Sequence, residues 1–231
     1  MTIDRKIPEC IGIILDGNRR WAKEKGLPTF EGHREGAERL REAAYWVRDR
    51  GIKHLAVYAF SRENWSRSAE EISYLLTLFQ TTIDRLSAKI VQERIRIKFV
   101  GERERFEKNI REAMVRLEEM TSNNDAMTLW VCLSYGGRAE IANAASAASK
   151  QAGSDMEITE EMISQNLWTF GMPDPDIIIR TGREKRLSGF LTWQNIYSEL
   201  FFLDEYWPDF SEEILDRILD QYSKRERRMG K

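Results

Sequence analysis

Cysteine, histidine and proline are all scarce in this chain: its 231 residues hold two cysteines, two histidines and five prolines. Cys10 and Cys132 both lie in apolar runs. They exclude a disulfide scaffold and read as buried free thiols in a reducing compartment. No Cys/His spacing of the zinc type is present. No apolar run approaches the length of a membrane span. The first residues, Met1-Thr2-Ile3-Asp4-Arg5, lack the apolar core of a signal peptide. We therefore expect a cytoplasmic protein, one that at most rests on a membrane. Excess positive charge is missing too, since 36 Lys and Arg stand against 38 Asp and Glu for a net charge of −2. Nothing in that balance suggests nucleic acid as a partner. Neither a Walker loop nor a dinucleotide glycine pattern occurs, so nucleotides are not the natural ligands.

What is present is a folded, α/β-type pattern. Hydrophobic residues make up 42% of the chain and tryptophans number seven, which argues against disorder. The length suffices for one large α/β domain or two small ones.

The chain is organised around Ile11-Gly12-Ile13-Ile14-Leu15-Asp16-Gly17-Asn18-Arg19-Arg20-Trp21. The apolar half reads as a buried strand of a parallel sheet. Asp16-Gly17 is a turn signal, and Asn18 is the expected cap of a short helix ending near Gly26. Asp16 thus falls at the carboxyl end of a strand, where open α/β sheets bind ligands. A helix N-terminus beside Arg19 and Arg20 favours phosphate. A carboxylate next to a phosphate is repulsive unless a cation lies between them, so Asp16 is the Mg²⁺ candidate. The plainer reading is a turn with solvated arginines.

Further along, a helix runs from after Gly36 to about Arg50, and Ile52–Phe60 is a second strand. It ends in Ser61-Arg62-Glu63-Asn64-Trp65-Ser66-Arg67-Ser68. A long helix spans about Ala69 to Gln92, with Ile72, Leu75, Leu76, Phe79, Ile83 and Leu86 at helical spacing. That stripe reads as ordinary core or as one wall of an apolar channel. Strands follow at Arg94–Val100, Met127–Leu133 and Asp176–Ile179, with helices at about 103–120, 138–151, 159–170 and 211–224. The 152–155 stretch is the loosest. Strand, polar end and helix repeat throughout. The pattern predicts a single domain over 1–231, a mostly parallel central sheet with helices on both faces.

Three strand ends carry ligand-type chemistry: Asp16 to Arg20, Ser61 to Arg67 and Arg180 to Arg186. All should lie along one edge of the sheet. Two arginine clusters in an acidic protein suit two diphosphates, because guanidinium forks match phosphate oxygens. His33 is either a buried structural imidazole or a phosphate donor.

These residues resemble a known family. Asp16-Gly17-Asn18-Arg19-Arg20-Trp21-Ala22, Gly32-His33, Tyr58 through Arg67, Arg180-Thr181-Gly182, Arg186-Leu187-Ser188 and Trp193-Gln194 with Tyr197-Ser198-Glu199-Leu200 look like the signature regions of the cis-prenyltransferases. The resemblance runs from about Ile11 to the C-terminus. It implies an α/β fold with an apolar tunnel. It also implies elongation of an allylic diphosphate, typically farnesyl diphosphate, by isopentenyl diphosphate with cis double bonds. Carried over by position, Asp16 would be catalytic and would hold Mg²⁺, with Glu199 as a second metal residue or one ordering the dimer-side site. Gly17, Asn18, Arg20 and His33 would line the allylic site, with Arg19 and Trp21 beside them. Arg180, Arg186 and Ser188 would grip isopentenyl diphosphate. Ser61, Arg62, Glu63, Asn64, Trp65, Arg67 and Glu71 would belong to a segment that closes over substrate. Asn64, or the pyrophosphate itself, is a candidate proton acceptor.

The family further implies a homodimer, with the tail at about 224–231 reaching toward the partner through Arg228-Met229-Gly230. Peripheral membrane contact for a lipid product is a further expectation. Thr29, Ser68, Arg183 and Gly189 depart from the family pattern. Ser68 in place of proline should loosen the closing segment, and Arg19 or Arg34 could replace a phosphate contact missing at Thr29. A non-catalytic partner subunit of the family would typically lack Asp-Gly-Asn, which is present here. A strand-end phosphatase would want a second Asp at position 18, and a lipid-binding module would not need so many arginines.

Overall fold

The computed structural model describes residues 6–152 and 157–225, without the side chains of 85–91. The expectations for 153–155, for Leu86 and for the Arg228-Met229-Gly230 tail lie outside these residues. The described chain runs β1 (Cys10–Ile14), α1 (Asn18–Glu24), α2 (Thr29–Asp49), β2 (His54–Ser61), α3 (Ala69–Gln92), β3 (Ile95–Val100), α4 (Lys108–Met120), β4 (Met127–Tyr135), α5 (Gly137–Ala152), α6 (Glu160–Gln165), β5 (Ile177–Arg180), β6 (Glu199–Phe202) and α7 (Glu212–Ser223). A single-turn helix, Arg62–Ser66, follows β2.

All six strands are parallel, in the order β3-β4-β2-β1-β5-β6. β-branched runs such as Ile177-Ile178-Ile179 can serve as central strands because both faces of a parallel sheet are covered. Alternation sorts the side chains. Ile11, Ile13, Leu55, Val57, Leu129 and Val131 join one core with helices α2, α3, α4 and α7. Cys10, Ile14, Ala56, Tyr58, Trp130 and Cys132 join a second core on the other face, with Phe190 and Leu191.

Two features position the site. From β1 the chain continues to β2 on one side, and from β5 it continues to β6 on the other. The carboxyl ends of the neighbouring strands β1 and β5 therefore flank a topological switch point, where open sheets leave a crevice. The second feature is a bulge in β2. Tyr58 pairs with Cys132 and Phe60 with Leu133, leaving Ala59 unpaired. Ala59 consequently faces the cavities at the sheet's carboxyl edge, a common use of bulges beside functional sites.

The helix α2 begins at Thr29, eight residues before the sequence pattern suggests. Gly32 and Gly36 read as breakers in the sequence but lie inside this helix. A Cβ on Gly32 would stand 2.1 Å from the Asn18 carbonyl oxygen, and one on Gly36 would stand 2.3 Å from Asn18 Oδ1. They are glycines so that α2 can lie directly on the start of α1. Ser68 stands immediately before α3. Its hydroxyl accepts the Glu71 N–H at 3.3 Å, an N-terminal cap that proline could not provide.

Candidate active site

Asp16 sits in the switch-point crevice, fixed through its backbone. Its N–H donates to Thr181 Oγ1 at 3.1 Å, and its carbonyl accepts from Thr181 Oγ1 at 2.7 Å and from the Trp207 N–H at 3.0 Å. Gly17 makes the turn at φ +106°, a left-handed conformation, and a Cβ there would meet the Tyr206 ring at 2.5 Å. Gly17→Ala should therefore lower unfolding stability by about 2 kcal/mol or more, measured by chemical denaturation. A loss below a few tenths would show that the turn relaxes freely.

Asn18 is the first residue of α1 and not its cap. Gly17 occupies the cap position, and Asn18 Nδ2 donates back to the Leu15 carbonyl at 3.1 Å. Asn18 Oδ1 is buried without a hydrogen-bond partner.

The Asp16 carboxylate is shared by two guanidiniums. Arg180 from the end of β5 donates to Oδ2 at 2.8 Å, and Arg20 from α1 donates to Oδ1 at 3.0 Å. Arg180 also donates to Ser188 Oγ at 2.9 Å and to the Arg186 carbonyl at 2.5 Å. Arg186 pairs with Glu184, which also takes Arg20 at 3.5 Å. A second acid, Glu71 at the start of α3, collects Arg67 at 3.1 Å, His33 Nε2 at 3.3 Å and Arg19 at 3.7 Å.

Three cavities meet at Leu15, Asn18 and His33. One, of about 770 Å³, is bounded by Asp16, Gly17, Arg19, Arg20 and Arg67. Another, of about 720 Å³, adds Ser61, Arg62, Glu63, Asn64, Arg180, Arg186 and Ser188. The third, of about 200 Å³, is apolar and runs between α2, α3 and the sheet, past Leu40, Ala44, Leu76, Phe79 and Ile83 to Ile95 and Leu129. Two basic clefts thus open at one point into a greasy recess. The α3 stripe is its wall through Leu75, Leu76, Phe79 and Ile83.

The structure brings thirteen of the expected substrate-binding residues to these clefts but not the two tryptophans. Trp21 donates to Asp209 at 2.8 Å, and Trp65 donates to Ser134 Oγ at 2.9 Å while packing on Phe60 and Phe106. Both side chains brace the elements that carry their neighbours. Asn64 lines the cleft, and its Oδ1 accepts the Ser61 N–H at 3.1 Å. Arg34 is engaged by Glu31 at 2.5 Å and lines none of the three cavities, whereas Thr29 does line one.

Glu199 stands apart from Asp16 within the chain. It starts β6 opposite Ile177, which pairs with Ile11, so it lies at the amino edge of the sheet. Asp16 stands five residues beyond Ile11, roughly 16 Å farther along the strand direction. Glu199 bonds Arg225 and cannot share a metal with Asp16 of the same chain. Thr181 and Glu184 fall inside the Arg180 to Arg186 strand end but received no role of their own from the sequence, and Gly136, Gly137 and Arg138 were not among the expected site residues. The last three follow β4 at the same carboxyl edge and line the larger arginine cleft, so the strand-end rule could have found them.

The donor set suits a substrate-borne cation and not a protein cage. Among the described residues no cluster of three metal-type side chains exists. Asp16 offers one carboxylate, each oxygen of which keeps a lone pair beyond its guanidinium. Mg²⁺ commonly uses one or two carboxylates, waters and substrate phosphates.

Burial lowers the His33 pKa from 6.5, and the Arg67 charge adds to this, against the opposing pull of Glu71. His33 is then neutral near pH 7. Because the unfolded state takes the proton more readily, this residue removes stability as pH falls below about 6.5. His33→Gln should therefore lose less stability than wild type between about pH 7.5 and pH 5.5. Identical pH dependence of the denaturation midpoint would contradict that sign.

The same residues can be placed among known proteins. A profile of the prenyltransferase family, the undecaprenyl diphosphate synthases, matches residues 14–230. An isoprenyl transferase of Thermotoga maritima is 44% identical over 227 residues, covering 97% of each chain. A ditrans,polycis-undecaprenyl-diphosphate synthase of Micrococcus luteus, described as farnesyl-diphosphate specific, is 39% identical, covering 97% of this chain and 92% of its own. The crystal structure of lavandulyl diphosphate synthase from Lavandula x intermedia, in complex with dimethylallyl diphosphate, superposes with a TM-score of 0.92 at 30% identity, covering 97% and 99% of the two chains. The crevice with its two arginine clusters and the match along nearly the whole length lead to one conclusion: this chain belongs to the undecaprenyl diphosphate synthase family of cis-prenyltransferases and is a prenyltransferase enzyme.

Proposed function

We propose that the enzyme joins isopentenyl diphosphate to farnesyl diphosphate and repeats the addition to build a Z-polyprenyl diphosphate, with Mg²⁺ as cofactor. The observation that carries this reading is the junction of two guanidinium clusters with an apolar recess beside Asp16. The cluster of Asn18, Arg19, Arg20 and His33 would take the allylic diphosphate and direct its chain into the recess. Arg180, Arg186 and Ser188 would hold isopentenyl diphosphate. Ionisation of the allylic C–O bond places negative charge on the departing pyrophosphate. Arg20 and its neighbours stabilise that charge more than they stabilise the ground state. The new C–C bond forms at the allylic carbon, and a proton leaves the isopentenyl unit. Pyrophosphate takes that proton, since an Asn64 carboxamide is a poor base. A Mg²⁺ ion held by Asp16 would supply further charge to the leaving group.

The farnesyl preference is supported by the Micrococcus luteus relative, which is described as farnesyl-diphosphate specific. Turnover should vanish in EDTA, return with Mg²⁺, and be faster with farnesyl than with dimethylallyl or geranylgeranyl primer. Turnover indifferent to EDTA would overturn the metal assignment, and equal rates would overturn the primer preference.

We also propose a homodimer. Ile196 and Tyr197 are 70% and 66% exposed beside the outer edge of β6, where Leu200 is exposed as well. An apolar sheet edge of this kind calls for a cover. A monomeric mass by light scattering would refute it. No helix among the described residues is long and apolar enough to cross a membrane. We place the enzyme in the cytoplasm, with peripheral membrane contact where its lipid product leaves.

A further inference from the structure

We propose that Glu184 is a placeholder anion that competes with diphosphate and links the two arginine clusters. Its carboxylate pairs with Arg186 of one cluster and, at 3.5 Å, with Arg20 of the other. Arg20 continues to Asp16 at 3.0 Å and Asp16 to Arg180 at 2.8 Å, so the chain of charges runs from one cluster to the other.

These pairs are not what holds the loop. The Gly182 N–H donates to the Glu205 carbonyl at 2.7 Å, and the Arg183 N–H donates to the Leu203 carbonyl at 2.9 Å. Arg183 itself stacks on Tyr206 at 4.7 Å and pairs with Glu24 at 3.4 Å. The segment is anchored without Glu184. The other two acids each do something more. Asp16 is the metal candidate, and Glu71 ties α3 to His33 on α2. The contacts of Glu184 given above are both to substrate-binding cations.

Exposure makes the contact weak and exchangeable. The Glu184, Arg20 and Arg186 side chains are 34%, 39% and 60% exposed. Ion pairs this open contribute little and are screened by salt. A diphosphate carries more charge than one carboxylate and matches guanidinium forks better, so it displaces Glu184 from both arginines. Because one acid serves both clusters, an anion in either cluster releases an arginine of the other, which is positive coupling between the two sites.

This inference rests on the diphosphate reading above, and the test separates the two. Inorganic pyrophosphate is titrated calorimetrically in EDTA into wild type, Glu184→Gln and Glu184→Ala. Both variants should bind about three- to tenfold more tightly than wild type, with the gain shrinking at high salt. If wild type binds pyrophosphate and both folded variants bind it equally or more weakly, Glu184 is a ligand or a brace and the placeholder role is overturned. If no protein binds pyrophosphate either in EDTA or with Mg²⁺ added, the diphosphate reading itself falls.

Discussion

Asp16→Asn will lower kcat by about 10²- to 10³-fold or more while the protein still folds. That range is what removal of one preorganised charge-stabilising group costs in other enzymes. The variant keeps the side-chain size and an acceptor for Arg180, but it loses the negative charge that, on the proposed function, would recruit a cation to the leaving pyrophosphate. The backbone anchors are untouched, because Thr181 and Trp207 bond the Asp16 main chain. Asp16→Ala should be at least as inactive and also less stable by about 1–3 kcal/mol, since Arg180 is only 5% exposed and would lose its carboxylate. Initial rates at saturating substrate and denaturation midpoints check both halves. Near-wild-type turnover in either variant would remove Asp16 from the chemistry.

The second large effect concerns product length. Ala37 lines the apolar recess on α2, one helical turn beyond His33 at its mouth. Ala37→Trp puts an indole across a cavity of about 200 Å³, close to where the growing chain would enter on the proposed function. Protein interiors are close-packed, so the chain cannot share that space. The longest product should shorten to the first one or two additions, with the initial condensation retained. The same substitution deeper in the recess, at Ala44, should shorten the product less. Chain-length analysis of both variants tests the assignment. Products as long as wild type from Ala37→Trp would mean that the chain grows elsewhere.

Much of this was legible in the chain itself. The bounds of α3 follow directly from its 3.6-residue stripe, and the apolar run before Asp16 places that acid at a strand end. The arginine clusters converge because parallel strands all present their carboxyl ends to one edge. What local patterns do not encode is which distant segments touch. Gly32 and Gly36 look like breakers because their reason is a close approach to Asn18 on another helix. Asn18 has the chemistry of a cap, but Gly17 takes that place with a positive φ. Trp130 could pass for the recess floor, yet alternation with Leu129 and Val131 turns it to the opposite core, where it donates to His54 at 3.1 Å. Glu199 shares a sequence neighbourhood with apolar segments. Only the strand register reveals that it starts β6 at the edge away from Asp16. Gly189 and Arg183, two departures from the family pattern, both adopt positive φ, at 79° and 69°. Glycine suits that conformation at 189, whereas Arg183 tolerates it and is held by Tyr206 and Glu24.

The most direct measurement is incubation of the purified enzyme with farnesyl diphosphate, labelled isopentenyl diphosphate and Mg²⁺. The products are then resolved by chain length and the geometry of each new double bond assigned. A ladder of prenyl diphosphates whose added units are all Z is the predicted result. No elongation with farnesyl or any shorter or longer allylic primer, or added units of E geometry, would contradict the account.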